Sequence, residues 1–232
     1  MNDFNNEMTP DLRAASIFRA VQKSRQARID EINAAFDDEL RKADAAARTH
    51  DLIRAYRSEP AQHRALSFTR SDLTNLDTKA RTVELSFASE YPVLKRNLNV
   101  LEVLQMTSVA ANLKRLNGAG ALLWCHRKDD QIGVVLKAWI DAANKRARAV
   151  VKFSSSVRGQ EFFQDVQDGI IRSVSFGYAI INGKITAGTR GSNKPDIFTA
   201  TSWEATEISL VSVPADPTIG VGRSERLRSE SN

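Results

Sequence analysis

Three histidines, His50, His63 and His126, are the side chains of this 232-residue chain whose ordinary titration lies near neutral pH. His50 and His63 fall in a polar helical half and the linker that follows it, where an exposed, inert ring is the expectation. His126 ends the apolar run Ala121-Leu122-Leu123-Trp124-Cys125. A buried strand therefore delivers it to a strand terminus, where a side chain on a rigid element can face a cleft. A hydrogen-bonded core histidine could sit in the same place, and position alone leaves both readings open.

A general base needs a nucleophile, and the run Ser173-Val174-Ser175-Phe176-Gly177-Tyr178 offers two hydroxyls. On a strand Val174, Phe176 and Tyr178 share one face, while Ser173, Ser175 and Gly177 share the other. The apolar face can anchor in a core. The hydroxyl face, bare at Gly177, leaves room for a substrate backbone to approach a fixed Oγ; a polar edge facing solvent would read the same way. A third piece is Glu207, which opens the apolar strand Glu207-Ile208-Ser209-Leu210-Val211-Ser212-Val213 and shares a face with Ser209. A carboxylate leading into a buried strand wants a partner. A histidine Nδ1–H is one, and the pairing would fix the ring's tautomer; an arginine would serve equally. Asp216, in a proline-flanked turn, is the competing acid.

Other chemistries lack their residues. There is no HExxH or CxxC, and no second histidine in the β-rich half, so no metal is expected. No GxxxxGK[ST] or GxGxxG loop supports a nucleotide, and no cofactor is expected. Cys125 is the single cysteine, which rules out an intramolecular disulfide. No apolar run is long enough to cross a bilayer, and the first residues carry no secretory signal pattern. The net charge of +5 is modest: residues 1–80 hold 13 basic and 13 acidic groups, and residues 81–232 hold 20 and 15. Without a dense Lys/Arg run or aromatic–basic alternation, nucleic acid is not the expected partner.

The elements that must position these groups divide the chain. From about Thr9 to Tyr56 there is no glycine and, after Pro10, no proline, and Phe18, Val21, Ile32, Phe36 and Leu40 recur at helical steps. The apolar seam is thin and its heptad register slips, which predicts a helical hairpin or loose coiled coil. Ser58–Asp77 reads as a linker. From Arg81 the period becomes two, beginning with Val83, Leu85 and Phe87. Further β-like runs are Ala121–Cys125, Ile132–Ile140, Ala147–Phe153, Ile170–Ile181, Ile197–Ser202 and Glu207–Val213. Helices are expected at Val109–Leu116 and at Arg158–Asp168, with Gly169 as C-cap glycine. The pattern predicts a mostly β chain with helices (α+β), built as a small, mostly antiparallel barrel.

Five blocks in order, 81–93, 115–126, 130–135, 168–178 and 207–216, closing in Gly220-Val221-Gly222-Arg223, resemble the prohead serine protease family of tailed bacteriophages. The resemblance covers about residues 64–223 and is carried by the sequences Arg-Thr-Val-Glu-Leu-Ser-Phe-Ala-Ser-Glu-Tyr-Pro-Val, Arg-Leu-Asn-Gly-Ala-Gly-Ala-Leu-Leu-Trp-Cys-His, Asp-Gln-Ile-Gly-Val-Val, Asp-Gly-Ile-Ile-Arg-Ser-Val-Ser-Phe-Gly-Tyr and Glu-Ile-Ser-Leu-Val-Ser-Val-Pro-Ala-Asp. It implies a fold related to the herpesvirus capsid protease, an assemblin-like barrel flanked by helices. It also implies His126 as general base and Ser175, rather than Ser173, as nucleophile. Herpesvirus relatives use a second histidine as third member. None occurs from Arg64 to the C-terminus, so the resemblance implies Glu207 in that place.

On this reading residues 1–63 are a helical arm and linker, 64–223 the protease domain and 224–232 a polar tail. The expected activity is a serine endopeptidase that cleaves scaffold, or the scaffold-like extension of the major capsid protein, and itself. Its partners would be those capsid proteins and further copies packaged in the procapsid, inside the host bacterial cytoplasm, with no membrane involved. An inactive capsid-assembly protein of the same fold is the alternative.

Overall fold

A computed structural model of the protein describes residues 10–58, 62–67, 74–186 and 195–212. Asp216 and the tail lie outside the described residues. Along the chain come α1 (Pro10–Ser58), β1 (Gln62–Ser67), β2 (Thr74–Asp77), β3 (Thr82–Ser89), β4 (Val93–Lys95), β5 (Val100–Leu104), β6 (Ala111–Asn112) and α2 (Lys114–Asn117). They are followed by β7 (Ala121–Trp124), β8 (Gln131–Asp141), β9 (Arg146–Phe153), α3 (Val157–Gln167), β10 (Ser173–Thr186) and β11 (Asp196–Val211). The chain is a mixed α+β protein with an N-terminal helix and one large sheet.

The first helix is continuous rather than a hairpin. Residues 11–58 contain neither glycine nor proline, so nothing in the sequence interrupts the i→i−4 ladder. Two compact units divide within it, at Ala47/Arg48. In the first unit every side chain from Ala15 to Asp44 is exposed. In the second, the last turns of α1 join the core: Tyr56 is 4% exposed and stacks on Phe198 at 5.3 Å between ring centroids. Thr49 Oγ1 accepts the Ile185 N–H at 3.1 Å, and Arg57 donates to the Ile181 carbonyl at 3.1 Å.

The stretch 58–77, expected as a linker, carries β1 and β2. The hydrogen-bonded strand order is β1-β10-β11-β7-β8-β9-β3-β2. This path does not close on itself through hydrogen bonds among the described residues. The runs expected at 197–202 and 207–213 are one strand, β11, because Trp203-Glu204-Ala205-Thr206 continue its pairing with β10. That strand is the hub. One edge pairs antiparallel with β10; the other pairs parallel, in succession, with β5, β6 and β7. These three parallel pairings stand beside seven antiparallel ones among the described residues, so the sheet is mostly antiparallel, as expected. The parallel pairings shorten the helix expected at 109–116 to the single turn α2, since Ala111 and Asn112 are drawn into the sheet against Trp203 and Glu204.

The core follows the two-residue period where it is strongest. Val83, Leu85 and Phe87 are each 1% exposed or less. Helix α3 starts where Ser156 Oγ caps Gly159 N at 3.2 Å and stops before Gly169, whose φ of +70° suits a residue without Cβ. Its apolar face sets Phe162 against Trp124 and Phe163 against Phe153.

Candidate active site

Ser175 occupies the middle of β10, opposite Ala65 of β1 and Ser209 of β11. Its neighbours Val174, Phe176 and Tyr178 are fully buried, which fixes the strand against the core. The hydroxyl face is covered too: Ser173 is 7% exposed and Ser175 only 2%. The expected open polar strip is therefore a packed one. Ser173 sits at the head of β10 opposite Val211. Ser175 Oγ lies 2.7 Å from His126 Nε2 and 2.8 Å from the Arg64 carbonyl oxygen.

His126 comes just after β7. Cys125 and His126 have φ of 50° and 60°, two successive left-handed residues that cost on the order of 1–2 kcal/mol each. Hydrogen bonds to β11 hold them there. Cys125 N–H donates to the Leu210 carbonyl and His126 N–H to Ser209 Oγ, both at 2.8 Å. The loop beyond is tied down by Arg158, which grips Asp130 through two nitrogens at 2.9 and 2.6 Å. The result is a ring turned back over the sheet toward Ser175.

Glu207 faces the other side of that ring. Its Oε1 is 2.7 Å from His126 Nδ1, and its Oε2 is buried without a hydrogen-bond partner among the described residues. The register sets Glu207 opposite Gly177. A Cβ at position 177 would stand 2.7 Å from Glu207 Oε1 and 2.6 Å from Thr206 Oγ1. The glycine thus makes room for the carboxylate, a different reason from the substrate approach expected from sequence. The sequence Ser175 hydroxyl, His126 imidazole, Glu207 carboxylate is the connectivity that nucleophilic catalysis uses. The acid holds Nδ1–H, which leaves the Nε2 lone pair for the hydroxyl proton.

His63 is the residue that sequence reasoning passed over. It belongs to β1, opposite Gly177, and its ring centroid is 3.8 Å from that of His126. Its Nδ1 is 3.7 Å from Glu207 Oε1. Burial pushes the His63 pKa down, and the neighbouring His126 pushes it the same way, while Glu207 opposes them. A histidine whose folded pKa is lowered disfavours the fold once pH falls into the ordinary histidine range, and is silent above it. His63, His126 and Glu207 offer ligand atoms that all lie within 4.8 Å of one another. The β-rich half therefore does hold a second histidine, and among the described residues this trio is the donor set that could hold a metal.

Residues 72–230 match the profile of a family described as caudovirus prohead serine protease. The chain is also 40% identical over 143 residues to a protein named "Major capsid protein" of Halomonas phage phiHAP-1. That alignment covers 60% of this chain and 23% of the phage protein, so the chain spans about a quarter of its relative's length. No solved structure matches. Ser175, His126 and Glu207 fall inside the family match, and His63 falls outside it.

Proposed function

The chain belongs to the caudovirus prohead serine protease family, and from that premise we propose that it is a capsid-maturation endopeptidase working through Ser175, His126 and Glu207. The observation that carries this reading is the unbroken contact sequence, 2.7 Å from Ser175 to His126 and 2.7 Å from His126 to Glu207. Ser175 Oγ attacks a peptide carbonyl carbon while its proton passes to His126 Nε2. The tetrahedral intermediate collapses to an ester on Ser175 as the same proton goes to the leaving amine. Water then attacks the ester, giving its proton to Nε2, and the acid product leaves as Ser175 recovers its hydrogen. Glu207 holds Nδ1–H throughout and stabilises the transient imidazolium. In the resting enzyme the Ser175 proton has two acceptors, Nε2 and the Arg64 carbonyl, so attack requires it to point at the first.

The capsid relative supports a capsid-protein substrate. Scaffold cleavage, self-processing and action inside the procapsid follow from the same family reading. No helix among the described residues is long and apolar enough to cross a membrane. We read the sheet as the assemblin-like barrel of that family, an interpretation supported by Arg64 of β1, whose guanidinium reaches the Ser89 and Tyr91 carbonyls at the end of β3. Phe87 of β3 also meets Phe176 of β10 edge-on across the interior at 5.5 Å. Co-expression of the chain with its capsid protein tests the function. Intact mass should show a shortened capsid protein, and unchanged mass with wild-type enzyme present would leave the inactive assembly protein as the better reading.

Glu207→Gln should lower kcat by about 10⁴-fold, less than loss of Ser175 or His126, because the acid orients and stabilises without making bonds. Full activity in Glu207→Gln together with loss in Asp216→Asn would transfer the acid role to Asp216. Gly177→Ala should lower kcat by about 10²-fold or more, with KM less affected, because the added methyl displaces the Glu207 carboxylate. Wild-type kcat from a folded Gly177→Ala enzyme would show that Glu207 alignment is not needed.

The division of the two compact units at Ala47/Arg48 supports an arm shorter than residues 1–63. We place the peptidase unit at Arg48 onward rather than at residue 64, with the preceding helix as a delivery arm. A chain starting at Arg48 should unfold cooperatively and cleave a peptide. One starting at Arg64 loses Tyr56 and part of β1 and should unfold at lower temperature. Equal melting temperatures for the two would return the boundary to residue 64.

A further inference from the structure

The apolar positions of α1 that slip out of a heptad keep a different register. Phe18, Val21, Arg25, Ile29, Ile32, Phe36, Leu40, Ala43 and Ala47 follow one another in steps of 3, 4, 4, 3, 4, 4, 3 and 4. This is an eleven-residue repeat, whose 3.67 residues per turn keep a stripe on one face with slight right-handed coiling. All nine side chains are exposed, and the six large apolar ones are 49–64% exposed. Single exposed apolar residues need no explanation, but a contiguous stripe marks an interface.

Charge decides what covers it. Residues 15–29 carry Arg19, Lys23, Arg25 and Arg28 and no acid, a net charge of +4. Residues 30–44 carry six acids (Asp30, Glu31, Asp37, Asp38, Glu39 and Asp44) against Arg41 and Lys42, giving 2 − 6 = −4. The two halves are equal, opposite and adjacent, and the stripe runs through both. A parallel copy would set +4 against +4. An antiparallel copy sets each half against its complement.

We propose that α1 pairs antiparallel with α1 of a second copy of this chain, centred on Ile29. In that register Ile29 meets Ile29 of the second copy, Phe18 meets Leu40, and Val21 comes to within one residue of Phe36. Arg19 falls beside Glu39 and Arg28 beside Asp30. Arg25, the charged member of the stripe, comes opposite Asn33, within a turn of Asp30 and Asp37 on the same face. The one charged stripe position, Arg25, thus lies within a turn of two acids, and Ile29 with the two Phe18–Leu40 pairs brings apolar side chains together at the centre and both ends. The pairing concerns the arm alone and stands whether or not the peptidase reading does.

Site-directed disulfide trapping on the full chain, in a Cys125→Ser background, tests the pairing and its direction. Phe18→Cys chains alone and Leu40→Cys chains alone should stay uncrosslinked under mild oxidation, while a mixture of the two should give a covalent heterodimer. Sedimentation equilibrium of the unoxidised chain should show dimer at about 10 µM. Ile29→Glu should weaken the dimer on the order of 100-fold, because two carboxylates would meet at the centre. Arg19→Glu should weaken it also, and Arg19→Glu with Glu39→Arg should restore it, an outcome that a parallel pair cannot give. A monomer at all concentrations would overturn the proposal. So would self-crosslinking of either single-cysteine chain, which marks a parallel pair, or association seen only when capsid or scaffold protein is added.

Discussion

Ser175→Ala should leave a folded protein whose peptide cleavage is reduced by about 10⁶-fold, the order found when the nucleophile of a serine triad is removed. On the proposed mechanism the ester forms on Ser175, whose hydroxyl is the one hydrogen-bonded to His126 Nε2 among the described residues. The substitution also removes a buried donor that faces two acceptors, His126 Nε2 and the Arg64 carbonyl. Leaving these unpaired costs about 1–3 kcal/mol, which for a unit of this size lowers the melting temperature by about 2–12 °C. Activity and stability therefore separate by measurement: the variant melts cooperatively a few degrees lower and leaves co-expressed capsid protein at full mass. Ser173→Ala, at the head of the same strand, should cleave normally. Cleavage by Ser175→Ala with loss in Ser173→Ala would move the nucleophile two residues along β10, and retention of activity in both would remove the serine mechanism.

The three residues of this contact sequence were legible because each sits in a short motif whose local pattern resembles that of a family. Their mutual distances were not legible, since they depend on β11 pairing with both β10 and β7, one antiparallel and one parallel. His63 was hidden for a related reason. The segment Gln62-His63-Arg64-Ala65-Leu66-Ser67 has no two-residue alternation, because β1 gains its place by pairing with β10 rather than by presenting an apolar face. Reading it as linker put the second histidine outside the domain by one residue. Gly177 shows the converse, a residue singled out for substrate approach whose missing Cβ also leaves room for Thr206 Oγ1 and Glu207 Oε1, the latter thirty residues away in sequence. The helical character of α1 was legible in the absence of helix breakers, but its slipping heptad pointed to a hairpin or loose coiled coil and not to one continuous helix with an eleven-residue repeat.

The largest stability effect should come from a group that sequence gave no reason to suspect. Glu102 in β5 is fully buried, and its Oε1 accepts the Tyr178 hydroxyl at 2.6 Å. Arg64, 6% exposed, sends Nη2 to the Glu102 backbone carbonyl at 2.6 Å. Its Nε lies 3.2 Å from Oε1, close enough for an ion pair but not aligned as a hydrogen bond, and Lys95 Nζ stands 3.9 Å away. Burial first, and then the adjacent carboxylate, hold the Tyr178 pKa well above its ordinary value, so the phenol stays a donor. Glu102→Leu removes the anion and leaves the guanidinium in the core with the main-chain carbonyls of Ser89, Tyr91 and position 102 as its acceptors among the described residues. Breaking one side of such a pair costs about 3–5 kcal/mol, a fall of roughly 10 °C in melting temperature at this size. Arg64→Met added to Glu102→Leu should recover much of the loss, because an apolar pair of similar volume avoids the desolvation of both charges. The Tyr178 hydroxyl would still lack its acceptor, and adding Tyr178→Phe should recover a further portion. The Arg64 main-chain carbonyl survives all three changes, so contact with Ser175 is kept and the triple variant should still cleave peptide below its melting temperature. Strictly additive losses across the single, double and triple variants would contradict this account, because they would mean that the three side chains stabilise the core independently.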